Sequence, residues 1–200
     1  MEALNKYSSF LWENRATSLA QITLATPIFS IYEKQMLEMD NLESSIARLT
    51  GASIIVLGAG PLYEKFRQFS HFMVAGAEEM SETKIKNTDR VSNALFNLPR
   101  GAIIYTVAGI ESGKEFALGV LGTVGYGLTV GASSGYLIDL SKEALGTKKI
   151  ERESIRKNSK SKNKLILGTV LASSILITGI NDSVDFEEII NLGISEEERK

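Results

Sequence analysis

An all-α integral membrane helical bundle is what this sequence predicts, with four core transmembrane helices as two hairpins and a fifth, C-terminal helix beside them. Three observations carry that expectation. Charge is cleared from nearly half of the chain in blocks. Basic residues alternate in number between successive connecting loops. One block is apolar or small on every helical face.

Five windows are nearly free of charge: Ala16–Tyr32, Leu49–Tyr63, Val91–Ile110, Phe116–Ile138 and Leu165–Asn181. Together they hold 92 of the 200 residues and one charged side chain, Arg100; the other 108 residues carry 45 of the 46 charges. A bilayer core about 30 Å thick needs roughly 20 apolar residues as a helix. Phe116–Ile138 meets that length unaided, and its sequence FALGVLGTVGYGLTVGASSGYLI lacks the polar face of a soluble surface helix. The three shorter windows can lengthen through Lys34, Arg48, Lys65 and Lys164, whose charged heads snorkel. A soluble helical bundle also uses apolar segments of 15 to 17 residues. It has no reason, however, to place 16 Lys and Arg in one set of alternate loops and 5 in the other. That asymmetry is the positive-inside pattern of five spans with a cytoplasmic N-terminus.

In chain order, the first fifteen residues include Glu2, Lys6, Glu13 and Arg15, which is not the compact basic region of a secretory signal, so the first span reads as retained. The second window runs into IIVLGAGPLYEKF, which imitates a dinucleotide-binding turn. Gly58 and Gly60 fit two of its glycines, but Tyr63 occupies the third position and no strand–helix alternation follows. Gly58, Gly60 and Pro61 are instead expected to thin and bend a membrane helix near the interface. His71 falls in the charged loop, as a solvated or interfacial side chain. In the fourth window Gly127, Gly131 and Gly135 recur every four residues, the pattern that lets two helix backbones approach closely. Ser141–Lys164 is a polar, basic linker that reads as a solvated cytoplasmic loop beside anionic lipid. The expected organisation is a four-helix domain over residues 1–145, a basic cytoplasmic linker over 146–164, and an extra apolar helix with an acidic tail over 165–200.

Composition removes several functions. The 22 basic and 24 acidic residues nearly cancel, so no nucleic-acid footprint is present. No cysteine and a single histidine give no basis for thiol chemistry or a His-rich metal site, and no metal or cofactor is expected.

Ionisable and polar residues within spans are costly and therefore informative. Arg100 follows Pro99 midway through the third window. It either meets an anionic group, such as a substrate carboxylate, in a polar cavity, or snorkels and pairs with a boundary acid, the candidates being Glu33, Glu111 and Asp139. The residues singled out for a polar path are Arg100, Glu33, Asn97, Tyr105, Tyr136 and Asp139. Pro27 to Tyr63 spans 36 residues and Pro99 to Tyr136 spans 37, with each tyrosine closing a span. Two hairpins of matching length are the signature of a parallel repeat, and transporters often place their path between repeats.

From about Arg15 to Leu145 the chain resembles the small L-alanine exporters of prokaryotic cytoplasmic membranes. The likeness rests on Thr26–Pro27–Ile28, Glu33, Met39, Ser45 and Arg48–Leu49 in the first hairpin. PLYEKFRQF, with Tyr63, Phe66 and Arg67, is similar to the family's second-span close, although a glycine and a closing aspartate are absent. Asp89 stands ten residues before Pro99 with Phe96 between, and GYLIDL carries Gly135, Tyr136 and Asp139. The resemblance implies a four-helix membrane protein exporting L-alanine, energised by the proton gradient. The fifth apolar segment and Arg100 depart from the family pattern. The expected function is therefore export of a small amino acid without covalent chemistry, so not an enzyme, with the amino acid and the lipid bilayer as partners. The glycine stripe offers contact to a second copy of the chain. The alternative is a membrane structural or assembly protein acting through that stripe.

Overall fold

The computed structural model describes residues 15–76, 80–146 and 152–183, and every regular element among them is helical. The acidic tail and residues 1–14 lie outside the described residues. The elements are α1 (Arg15–Met36), α2 (Asn41–Ile54), a π turn (Ile55–Ala59), α3 (Gly60–Ala75), α4 (Glu82–Val107), α5 (Gly113–Leu145), α6 (Glu153–Arg156) and α7 (Lys160–Ser183). Two helical runs are long and apolar enough to cross a membrane: Asn41–Ala75, which includes the π turn, and Gly113–Leu145. They hold the second and fourth uncharged windows. The other three windows are helical over all or most of their length, within α1, α4 and α7.

α1 continues through Pro27, which cannot donate to the carbonyl of Thr23 one turn earlier. The hydroxyl of Ser174 on α7 donates to that carbonyl at 2.6 Å, so a partner helix supplies the bond that proline removes. After α1 the chain reverses within four residues. Asp40 caps α2 by accepting from the Glu43 amide at 2.7 Å, and the Glu43 carboxylate accepts from the Asp40 amide at 3.1 Å. Glu38 takes a left-handed conformation at φ 52°, and the flanking Leu37 and Met39 are buried against Ala47, Ile104 and Tyr105. The reversal is thus pinned by apolar burial on either side of one strained residue.

The expected bend near Gly58–Pro61 is present: the π turn kinks at Gly58 (φ 159°, ψ −22°), inside the 35-residue run Asn41–Ala75. Ser18 on α1 donates to the carbonyl of Ile55 within it, and a Cβ on Gly60 would run into Ser18. α1 therefore sits directly on the irregular turn.

α4 and α5 form the most extensive helix pair. A Cβ on Gly127 would collide with the backbone of Ala94; one on Gly131 would lie 2.7 Å from Arg90 Cα; one on Gly135 would strike the Asp89 carboxylate. The stripe of small residues is the surface on which α4 rests, because only glycine leaves room for its backbone. α1 and α7 pack on α5 and on each other. The turns at 37–40 and 108–112 line one polar cleft, so both hairpins turn at the same end of the bundle.

The linker departs from its expected role as a solvated loop. Ile155 is fully buried among Tyr63, Ile138, Leu140 and Leu167, and Arg152 is 1% exposed. Burial of one apolar and one charged side chain draws this part of the linker onto the bundle.

Candidate functional site

The polarity of this bundle is inverted. α3 buries Glu64, Arg67 and His71 and exposes Leu62, Phe69, Phe72 and Met73. α4 buries Asp89, Asn93, Asn97 and Arg100 and exposes Val91, Leu95, Leu98, Ile103 and Val107. In water the apolar side would turn inward. Here helical spacing does the reverse: residues 89, 93, 97 and 100 recur at intervals of four, four and three, which places them on one inward face.

That face is a continuous polar file. At the end opposite the hairpin turns it begins in a buried ion cluster. Arg67 from α3 spans two aspartates with both edges of its guanidinium: Nε donates to Asp89 Oδ1 at 2.7 Å, and Nη1 and Nη2 donate to Asp139 Oδ1 and Oδ2 at 3.1 and 3.0 Å. Arg152 approaches the same two carboxylates, with a short bond from Nη2 to Asp89 Oδ2 and with Nε 3.3 Å from Asp139 Oδ2. His71 Nε2 lies 2.8 Å from Asp89 Oδ1. Beside this, Lys142 bonds Glu64, which also accepts from Thr17 at 3.2 Å and from Gln68 at 2.7 Å. Three carboxylates are thereby met by two guanidiniums and an ammonium. Balance of this kind is what allows charges to be buried at all, since each ion alone costs several kcal/mol to desolvate.

Inward from the cluster, Asn97 donates to Asn93 Oδ1 at 2.5 Å and Asn93 donates to the Tyr63 hydroxyl at 3.3 Å. Thr123 on α5 donates to the carbonyl of Asn97 at 3.1 Å. One turn further stands Arg100, 9% exposed, in the wall of a small, partly open cavity of about 30 Å³. The wall combines Arg100, Ile104 and Tyr105 of α4 with Phe29 and Glu33 of α1, Arg48 and Gly51 of α2, and Thr123 of α5.

Arg100 differs from every other buried cation. Among the described residues no carboxylate lies within ion-pair distance of it, and its electrostatic neighbours are the phenols of Tyr126, Tyr105 and Tyr63. Glu33, Glu111 and Asp139, the boundary acids considered for it, do not pair with it. Glu33 accepts from the Ser44 hydroxyl at 2.9 Å and stands 3.9 Å from Arg48 Nε. Asp139 belongs to the ion cluster. Arg100 and the Glu33 carboxylate thus line one small cavity, a cation and an acid around the same space.

Of the residues singled out in the sequence, Arg100, Glu33 and Tyr105 share this cavity, and Asn97 lies one turn along the file. Tyr136 and Asp139 stand apart, at the ion cluster, where the Arg152 guanidinium sits 5.9 Å from the Tyr136 ring centroid. Sequence reasoning missed Glu64, Arg67, Lys142, Arg152 and Asn93 as interior residues. It also read His71 as a solvated or interfacial side chain, whereas the ring is 7% exposed and bonded to Asp89. The available signal was helical spacing: Glu64, Arg67 and His71 fall three and four apart, as do Asp89, Asn93 and Asn97 at four.

No family model, curated protein or solved structure matches this chain. The class that fold and site define is therefore a helical bundle with a polar interior and an apolar exterior, two of whose helices can cross a membrane.

Proposed function

We propose that this chain is a multi-pass protein of the cytoplasmic (inner) membrane, with its N-terminus in the cytoplasm, that exports L-alanine or a similar small amino acid, driven by the proton gradient. The observation that carries the reading is Arg100: a buried guanidinium that no carboxylate among the described residues neutralises, lining a cavity at the end of a polar file. Bilayer hydrocarbon around the exposed leucines and phenylalanines accounts for the inverted polarity, because apolar side chains lose nothing by facing lipid. The carboxylate of an amino acid must be compensated in a low-dielectric path, and the guanidinium fork suits that group. Glu33, which lines the same cavity, is suited to the ammonium.

The alternative is a non-transporting membrane assembly protein. The inward-facing glycine stripe weakens it, because Gly127, Gly131 and Gly135 are already covered by α4 and are not free for a partner. The deciding experiment is efflux of preloaded labelled alanine from proteoliposomes, with and without an imposed proton gradient. Gradient-dependent efflux well above that of protein-free vesicles is expected. Efflux equal to that of protein-free vesicles for alanine, glycine and serine would remove the exporter reading.

A further inference from the structure

The ion cluster has an asymmetry that the export reading does not use. Arg67 is built into α3 and makes four bonds to Asp89 and Asp139. Arg152 reaches the same carboxylates from outside the bundle, on a segment whose only helix is the four-residue α6. Its fit is less complete: Nε is buried without a hydrogen-bond partner, although Nη2 bonds both Asp89 and the carbonyl of Ala132. Around it Glu153, Ser154 and Arg156 are exposed, while Ile155 alone is inserted among Tyr63, Ile138 and Leu167. Ser154 holds the rim by donating to Glu82 at 2.9 Å, and Asn163 of α7 donates to the Ile155 carbonyl at 3.2 Å.

We infer that the Arg152–Ile155 segment is a tethered plug, which closes the Asp89–Asp139 end of the polar file and opens it when Arg152 and Ile155 withdraw together. Withdrawal leaves a stable site behind. Asp89 and Asp139 keep every bond to Arg67, and Asp89 keeps His71, so no carboxylate is stranded. Removing one of two cations does leave the pair of aspartates with an excess negative charge, which draws the plug back. The inserted residues also suit a reversible contact. A single isoleucine and a single guanidinium fill the mouth, and a two-point insertion reseats without reordering the core. The carbonyl of Ile155 is held from α7, so the helix beyond the four-helix domain is coupled to the plug. Closure is a statement about access and stands on geometry; its meaning as a gate rests on the export reading.

Access can be measured without transport. The chain has no cysteine, so an introduced thiol is the sole target. Asn93→Cys, 4% exposed and one turn inward from Asp89, reports the file. Ala108→Cys, 7% exposed at the hairpin-turn end and outside the Arg100 cavity, is the control. With full-length protein in nanodiscs, where both faces meet solvent, labelling by an impermeant maleimide is followed with Arg152 and Ile155 intact and in the double variant Arg152→Gln, Ile155→Ser. At least a tenfold faster reaction at position 93, with the rate at position 108 unchanged, is expected. Arg152→Lys alone should keep the slow rate, because an ammonium still bridges the aspartates. An unchanged rate at position 93, or equal acceleration at both positions, overturns the plug. Efflux by the cysteine-free protein without substitutions separately decides the export reading.

Discussion

Arg67 and Arg100 are both buried arginines, and their surroundings assign them opposite roles. Arg67 is saturated by two aspartates and holds three helices together. Arg67→Met should leave Asp89 and Asp139 under-compensated, with a loss of about 3–5 kcal/mol, as breaking a buried pair commonly costs. Arg67→Lys should recover only part of it, since a point charge cannot bond two carboxylates along two edges. Denaturant or thermal unfolding in detergent measures both. Arg100 lacks such a partner, so Arg100→Gln should leave stability within about 1 kcal/mol or raise it, because an uncompensated buried charge is removed. The same substitution should lower alanine efflux by tenfold or more, with Arg100→Lys intermediate. Equal efflux from all three forms would show that the guanidinium does not line the path. Much of this contrast is hidden in the sequence. Helical spacing points both arginines inward, but only three-dimensional packing shows which of them meets an acid.

At the scale of helices, the glycines of α5 offer a matched comparison. A Cβ at Gly127 would strike the backbone of Ala94, whereas one at Gly125 meets nothing within 4 Å. Gly127→Ala should therefore destabilise by about 1–3 kcal/mol through overpacking. Gly125→Ala should be neutral or stabilising by up to about 1 kcal/mol, because alanine is the better helix former. Midpoints of unfolding for the two variants, measured side by side, check this. The contact of α1 with α7 has its own test. Ser174→Ala removes the donor to the carbonyl that Pro27 frees, and should cost about 1 kcal/mol by the same measurement. The period-four glycines were legible in the sequence as a contact stripe. Their partner was not, since the motif is silent about which helix lies opposite.

For the molecule as a whole, the inverted polarity predicts residence in lipid. The protein should remain in the membrane pellet after alkaline carbonate washing. Recovery as a monodisperse monomer without detergent would contradict it. The hairpin turns and the linker lie at opposite ends, so single thiols at Glu111→Cys and Ser159→Cys should label from opposite sides of intact cells, position 159 being the protected one. Labelling of both from outside would overturn the five-span topology. Neither starting residue is buried, so reactivity reports sidedness rather than burial.

The helical class, the apolar blocks and the period-four glycine stripe were set by the sequence alone, because each follows from local periodicity and from the cost of placing charge in an apolar environment. The cost of polar groups inside an apolar window likewise marked Asn97 and Arg100 as candidates. Tertiary structure decided the rest. It separated Tyr136 and Asp139 from Arg100, gathered Glu64, Arg67, His71, Asp89, Asp139, Lys142 and Arg152 into one cluster, and carried Arg152 and Ile155 from the basic linker into the bundle. The reason is that charge compensation is non-local. Arg67 and Asp139 are 72 residues apart, Arg152 and Asp89 are 63 apart, and no local pattern records which distant charges will neutralise one another. A lysine- and arginine-rich linker reads as solvated when only its composition is seen, and one arginine within it is buried only because two aspartates from other helices converge where it can reach them.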